Sequence, residues 1–203
     1  QRALLSLICI ALAGFVGLGA PRVAPAEERN VVLACNDFPP LKIEHPGIDG
    51  LKGTDVDAIA EIAKRSGLKL ESRFMPWKRG YAEASDGTID GICSCSYRED
   101  RAALFHFSDA IGYTSVGVFH HPGSRPEPIT KIDDLAGPHF AKIGVVKGYN
   151  LEAELDDAKV PHVAVSGDQQ AYEMLNNGRL DHLFSFRAPI DFIARHETGK
   201  VAP

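Results

Sequence analysis

The chain has 203 residues, of which 24% are charged and 44% hydrophobic, and its formal net charge is −5 at pH 7. This acidic balance argues against a nucleic-acid partner, which would select a basic surface. The length fits one globular domain or two small ones.

The first predicted element is an export signal that occupies residues 1–26. Arg2 precedes an uncharged apolar run that reaches Ala20, and residues 24–26 have the small-x-small pattern of a cleavage site. A retained membrane anchor is the alternative, because the apolar run approaches the length that spans a bilayer. Cleavage after Ala26 would release a more acidic protein into the periplasm.

From residue 30 onwards, short apolar runs alternate with helical patterns. The first unit is predicted to contain strands at 30–36, 69–75 and 89–95, with helices at 53–67 and 78–87 between them. The second unit is predicted to contain strands at 115–121, 141–148, 162–167 and 181–186, and helices at 150–158, 168–178 and 187–196. In the helix at 53–67, Val56, Ile59, Ile62 and Ala63 form one apolar stripe. This alternation predicts two α/β units with parallel-rich sheets, joined near residues 113–116.

Ligands of open parallel sheets bind beyond the carboxyl ends of the strands. Two such sheets that face each other would form a cleft between these ends. The predicted strand ends are residues 36–41, 74–78, 94–101, 147–150, 166–168 and 185–187.

Four segments occur in order at close spacing and carry a family resemblance. They are NDFPP at 36–40, GTDVDAIAEIAKRSG at 53–67, MPWKRGYAEASDGTIDGI at 75–92 and SYREDRAALFHFSDAI at 96–111. Together they resemble the bacterial extracellular solute-binding protein family 3, the periplasmic receptors of polar amino acid ABC importers. The resemblance covers nearly all of residues 31–196.

The resemblance implies a two-lobed periplasmic binding protein of type II with a hinge between the lobes. The expected division is a signal peptide at 1–26, lobe 1 at 27–113 and lobe 2 at 114–203. We also expect a tail after Pro203 that returns to complete lobe 1. The implied protein is a monomeric receptor without enzymatic activity, which closes on a small carboxylate-bearing ligand and delivers it to an ABC transporter permease.

Arg101 is the leading candidate for a ligand contact. Ser96 and Glu99 fit a capping box, which predicts that a helix begins just after the third strand. Arg101 would lie in the opening turns of this helix, where a guanidinium and free backbone N–H groups suit a carboxylate. The matching arginine of the family holds the ligand's carboxylate, whereas the alternative is a surface arginine paired with Glu99 or Asp100.

The resemblance also assigns residues to the body of the ligand. Phe38 and Trp77 match positions that pack against it, and an aromatic wall offers a large contact area. Ser94 and Ser96 match a polar rim beside the arginine.

Two residues of the second lobe, Tyr149 and Asn150, follow a glycine turn and complete the predicted set. Asn150 has an alternative role as the cap of its own helix.

Phe186 departs from the family pattern. Amino-acid receptors of this family carry an aspartate at that position, which accepts the ligand's ammonium group. A buried ammonium without an acceptor is unfavourable. Either Asp168 or Glu173 therefore meets the ammonium, or the ligand is a carboxylate with an apolar or aromatic body.

The cysteines allow several arrangements. Cys35 ends the first predicted strand, and Cys93 and Cys95 end the third, which is expected to be its neighbour. Cys35 can pair with either of them, or all three can remain buried thiols. A zinc site would need four ligands, so we expect neither a metal nor a cofactor.

Two other functions remain open at this point. A few relatives on this scaffold are periplasmic dehydratases that act on prephenate-like acids, for which Glu173 or His182 would be the general acid. The ligand-sensing domain of a signalling protein is the other alternative.

Overall fold

A computed structural model describes residues 30–47, 50–121 and 128–197. The predicted signal peptide at 1–26 and the segment after residue 197 lie outside the described residues. Within the described part of the chain, no helix is both long and apolar enough to cross a membrane.

The first lobe is a parallel sheet with three helices. Its elements are β1 (Asn30–Cys35), α1 (Thr54–Ser66), β2 (Lys69–Phe74), α2 (Trp77–Ser85), β3 (Gly91–Ile92) and α3 (Glu99–Ala102). The strand order is β2-β1-β3, and β1 is parallel to both neighbours. The carboxyl ends of all three strands therefore lie at one edge of the sheet.

Helix α1 packs on this sheet through Val56, Ile59 and Ala63, which are buried. Ile62 is 54% exposed, so its inclusion in the apolar stripe was wrong. Ile62 lies three residues after Ile59, at the solvent-facing edge of the apolar stripe of α1. The part of the stripe that contacts the sheet is narrower than the stripe itself. Gly67 ends the helix in the left-handed conformation, with φ of 71°.

The second lobe is a mixed sheet with helices. Its elements are β4 (Val116–His120), a 3-10 turn (Ile132–Ala136), β5 (Ile143–Val146), α4 (Asn150–Asp157), β6 (His162–Val165), α5 (Asp168–Asn176), β7 (His182–Phe186) and α6 (Arg187–Glu197). The order is β4-β7-β5-β6, with β4 antiparallel to β7 and the other pairs parallel. The predicted architecture of two α/β units is confirmed.

The central strands of the second lobe are buried on both faces. All four residues of β5 and all five of β7 are buried. Fully buried sheets of this kind have helices on both sides. The core of this lobe extends to Phe38 and Trp77 of the first lobe, so the two lobes meet through apolar side chains.

Candidate functional site: a cleft between the lobes

A cavity of about 1000 Å³ lies at the carboxyl ends of the strands and is lined by both lobes. All eight residues predicted to contact a ligand line it: Phe38, Trp77, Ser94, Ser96, Arg101, Tyr149, Asn150 and Phe186. The volume is that of a small-molecule site. The structure thus brings together residues that are up to 148 positions apart in the sequence.

Arg101 is only 6% exposed, although it is charged. Its Nη1 donates to the carbonyl of Ser96 at 3.1 Å and contacts Cys95 Sγ at 3.6 Å, and its Nη2 donates to the carbonyl of Gly148 at 3.2 Å. The guanidinium carbon lies 5.3 Å from the ring centroid of Trp77. The alternative of a surface arginine paired with Glu99 or Asp100 is wrong, because Arg101 is buried and Asp100 pairs with Arg98.

The predicted capping box of Ser96 and Glu99 is also wrong. Helix α3 is a single turn whose N-cap is Arg98, and no side chain caps it. The carbonyl of Ser96 instead accepts a hydrogen bond from Arg101. Arg101 is therefore held by the chain that precedes the turn, and the short helix adds little dipole.

Gly148 provides a contact between the lobes. Its carbonyl accepts hydrogen bonds from Trp77 Nε1 at 2.7 Å and from Arg101 Nη2 at 3.2 Å, both from the first lobe. Its φ of 81° is one that L side chains rarely adopt, and a Cβ at this position would lie 3.1 Å from Trp77 Cδ1. A glycine is thus required both for the turn and for the close approach of the indole.

Four aromatic rings form one wall of the cleft. Phe38 packs edge-on against Phe186, with ring centroids 5.4 Å apart, and against Tyr149 at 6.2 Å. Tyr149 also contacts Trp77 at 6.1 Å. Phe38 and Trp77 come from the first lobe and the other two from the second, so the wall crosses the cleft.

A hydrogen-bond chain lies behind this wall. Asn36 Nδ2 donates to Tyr149 Oη at 3.0 Å, and Tyr149 Oη donates to Asp168 Oδ2 at 2.7 Å. Ser185 Oγ donates to the other oxygen, Asp168 Oδ1, at 3.1 Å. Burial raises the pKa of Asp168 from 3.8 to about 6 and raises that of Tyr149 well above its usual value. The chain fixes Tyr149 in the wall.

Lys42 is a residue that the sequence did not point to. It lines the cavity, is 4% exposed, and donates from Nζ to Ser94 Oγ at 2.7 Å. Its ammonium also lies 5.1 Å from the ring centroid of Phe38. Burial lowers its pKa from 10.5 to about 8, although nearby Asp55 opposes this effect. The signal available in the sequence was a lysine between two apolar residues, two positions after Pro40.

Comparison with known proteins shows the family. Residues 31–185 match the bacterial extracellular solute-binding proteins, family 3. The chain belongs to this family.

Individual relatives and structures agree with this assignment. The L-cystine-binding protein TcyA of Bacillus subtilis is 30% identical over 73% of this chain and 53% of its own length. A probable amino-acid ABC transporter-binding protein of Haemophilus influenzae is 25% identical over 72% of this chain and 56% of its own. The chain thus spans about half the length of these two curated relatives.

Among solved structures, the arginine-bound form of truncated ArgBP from T. maritima has a TM-score of 0.69 and 25% identity, over 83% of this chain and 79% of that one. The fold is therefore that of a two-lobed periplasmic binding protein of type II. A histidine kinase sensor domain (20% identity, TM-score 0.71) and AncCDT-1, a precursor of cyclohexadienyl dehydratase (18%, 0.66), share the fold alone.

Three further residues that the sequence suggested as functional do not line the cavity. Glu173 is exposed on α5 and accepts a hydrogen bond from Gln169. Asp168 is buried behind Tyr149 and is not part of the lining, and His182 is buried against Phe140. The suggested ammonium acceptors, Asp168 and Glu173, therefore do not face the cleft. The suggested general acids, Glu173 and His182, do not face it either. Sequence reasoning failed here because it could not tell which residues of α5 and β7 point inward.

Asn150 lines the cavity but does not cap its helix. The N-cap of α4 is Tyr149, and Asn150 Nδ2 donates to Glu154 Oε1 at 3.0 Å.

The structure pairs Cys35 with Cys93, whose Cα atoms lie 5.1 Å apart. Ala34 is opposite Ile92 in the β1–β3 pair, so the next residues of each strand face each other. Cys95 remains a free, half-buried thiol whose pKa is raised by burial. Among the described residues, no group of three or more His, Cys, Asp or Glu side chains is placed to hold a metal ion.

Proposed function

We propose that this protein is the periplasmic receptor of an ABC importer and that it closes on a small carboxylate-bearing ligand, an amino acid or a related organic acid. The observation that carries this proposal is the buried guanidinium of Arg101 in the wall of an interlobe cavity. The family assignment and the binding functions in the names of the relatives support it.

The electrostatics of Arg101 favour an anionic ligand. Its hydrogen-bond partners among the described residues are two backbone carbonyls and a thiol, all of them uncharged. No carboxylate oxygen of the described residues lies within 4.0 Å of it. Buried charges are stable when they are paired, and a guanidinium has five N–H donors in a fork that matches a carboxylate. A ligand carboxylate would supply the missing counter-charge.

The contacts that cross the cleft support hinge closure. Trp77 and Arg101 of the first lobe both bind the carbonyl of Gly148 in the second. A ligand held by Arg101 would therefore touch both lobes, and its binding energy would favour the closed arrangement.

We further propose that the ligand body packs against the aromatic wall. Phe186 is buried where amino-acid receptors of the family carry their ammonium acceptor. The buried carboxylate that does line the cavity is Asp55, on the first turn of α1. An α-amino acid would have to place its ammonium near Asp55, whereas an acid without an ammonium needs no such partner.

The remaining features of the proposal concern the whole protein. We propose export by a signal peptide at 1–26, a lobe 1 at 27–113 and a lobe 2 that begins at 114. We also propose a monomeric receptor without catalytic activity that docks on a membrane permease.

The test is mass spectrometry of the small molecules that the purified protein releases when it is denatured. The protein should be purified without dialysis so that its ligand is retained. We expect one compound with a free carboxylate at near-stoichiometric amount. Release of a compound without an acidic group, or failure to bind any member of a panel of amino and organic acids, would contradict the proposal.

A further inference from the structure

We propose that Lys42 forms a second anion site in the cleft, so that the preferred ligand carries two carboxylates. This inference rests on the proposed function, because it assumes that the first carboxylate binds Arg101. It adds a specificity-determining residue and narrows the ligand to a short dicarboxylate, with or without an amino group.

Lys42 is a buried cation without a paired carboxylate among the described residues. An ammonium group has three donors, and Nζ donates a hydrogen bond to the neutral hydroxyl of Ser94. Within the described ranges, no carboxylate oxygen lies within 4.0 Å of Nζ. Asp55, Asp168 and Asp37 act on it only through their longer-range field. A lysine that is 4% exposed without a paired anion is unusual.

The backbone fixes the position of Lys42. The turn from Phe38 to Lys42 is closed by two hydrogen bonds, from Phe38 N to Lys42 O and from Lys42 N to Phe38 O. The first turn of α1 holds it from behind, because Asp55 N donates to Leu41 O at 2.9 Å. Gly53, with φ of 102°, allows this approach, since a Cβ there would collide with the carbonyl of Leu41. The ammonium is thus presented to the cavity by a rigid turn.

The two cations are anchored to the same short segment of the cleft wall. Lys42 binds the side chain of Ser94, and Arg101 binds the carbonyl of Ser96. The Cα atoms of Ser94 and Ser96 are two residues apart in the chain and therefore at most about 7 Å from each other. Cys95, between them, is influenced by both positive charges. Both cations therefore lie along one short stretch of the cleft wall, where a ligand with two carboxylates would contact both.

The test uses two matched pairs of ligands in isothermal titration calorimetry on the full-length protein. Glutarate and pentanoate differ only in a second carboxylate, and so do glutamate and norvaline. We expect the dicarboxylate of at least one pair to bind on the order of tenfold to a hundredfold more tightly, which is the effect of one hydrogen-bonded charge. Lys42→Met should abolish this preference, while Lys52→Met, at an exposed position on the following loop, should keep it.

The outcomes separate the two proposals. If both members of a pair bind equally, or if Lys42→Met retains the preference, the second anion site is refuted while the carboxylate receptor stands. If none of the four compounds binds, both proposals are contradicted for acids of this size.

A second measurement covers the case in which Lys42→Met does not fold. In the wild-type protein, affinity for the dicarboxylate should fall as pH rises above about 8, where the free protein loses the proton of Lys42. Affinity for the monocarboxylate should change less over the same range. The groups that face Lys42 are Asp55 on α1, Asp168 on α5, Asp37 after β1 and Cys95 after β3. Parallel pH profiles for the two ligands would overturn the assignment.

Discussion

The buried carboxyl of Asp168 predicts a specific pH dependence of stability. Its pKa is raised from 3.8 to about 6, chiefly by burial, against the opposing effect of the hydrogen bonds from Tyr149 and Ser185. The folded protein therefore holds this proton more tightly than the unfolded chain does. The stabilisation is fully present below pH 3.8 and is lost as pH rises through about 6. At about 1.4 kcal/mol per pH unit, the loss is about 3 kcal/mol.

Asp168→Asn tests this magnitude, because the amide cannot ionise and has nearly the same shape. The assay is urea unfolding at pH 3.5 and pH 7.5, followed by the fluorescence of Trp77, the one tryptophan of the chain. The free energy of unfolding of the variant, relative to wild type, should rise by about 3 kcal/mol between these pH values. Asp157→Asn, at an exposed position on α4, should show no comparable change. A relative stability of Asp168→Asn that does not vary with pH would refute the reasoning.

Three further predictions follow from the contacts of the cleft. Reduction of the Cys35–Cys93 disulfide, which encloses a sequence separation of 58, should lower the free energy of unfolding by about 4 kcal/mol in urea titrations, whereas Cys95→Ala should leave it within about 1 kcal/mol. Trp77→Phe removes the hydrogen bond to the carbonyl of Gly148 and should weaken ligand binding about fivefold in calorimetry; unchanged affinity would contradict a role in closure. Gly148→Ala should increase the radius of gyration of the ligand-bound protein in solution scattering, since its Cβ would press on the indole, and a radius equal to wild type would contradict this.

Much of the fold was predictable because hydrophobic periodicity sets the elements locally. The alternation of strands and helices predicted two α/β units, and the carboxyl ends of the strands predicted where the cleft lies. Arg101 and Trp77 follow strand ends, so their place in the cavity follows from topology. The place of Phe186 in the cavity follows in the same way, because Phe186 is the last residue of β7.

The features that were missed depend on contacts between distant segments. Lys42 reaches Ser94, which is 52 residues further along the chain, and only the tight turn before α1 makes that possible. The choice of Cys93 over Cys95 as the partner of Cys35 depends on the register of β1 and β3. Local patterns do not contain strand register.

Local signals also failed where a residue makes a hydrogen bond that its sequence spacing does not predict. Ser96 has the spacing of a helix cap, but its carbonyl binds Arg101 and the helix begins later. Asp168 was one of two residues suggested as the acceptor of a ligand ammonium, yet Tyr149 and Ser185 occupy both of its oxygens.

The most direct test of the central claim is calorimetric binding of the co-purified carboxylate to Arg101→Met. The guanidinium would make two charge-assisted hydrogen bonds, so its removal should weaken binding by roughly a hundredfold or more. Arg98→Met is the matched control, because Arg98 is three residues away and pairs with Asp100 outside the cavity lining. It should bind within about twofold of wild type. If Arg101→Met binds as tightly as Arg98→Met, Arg101 does not hold the ligand and the proposed mode of carboxylate recognition is wrong.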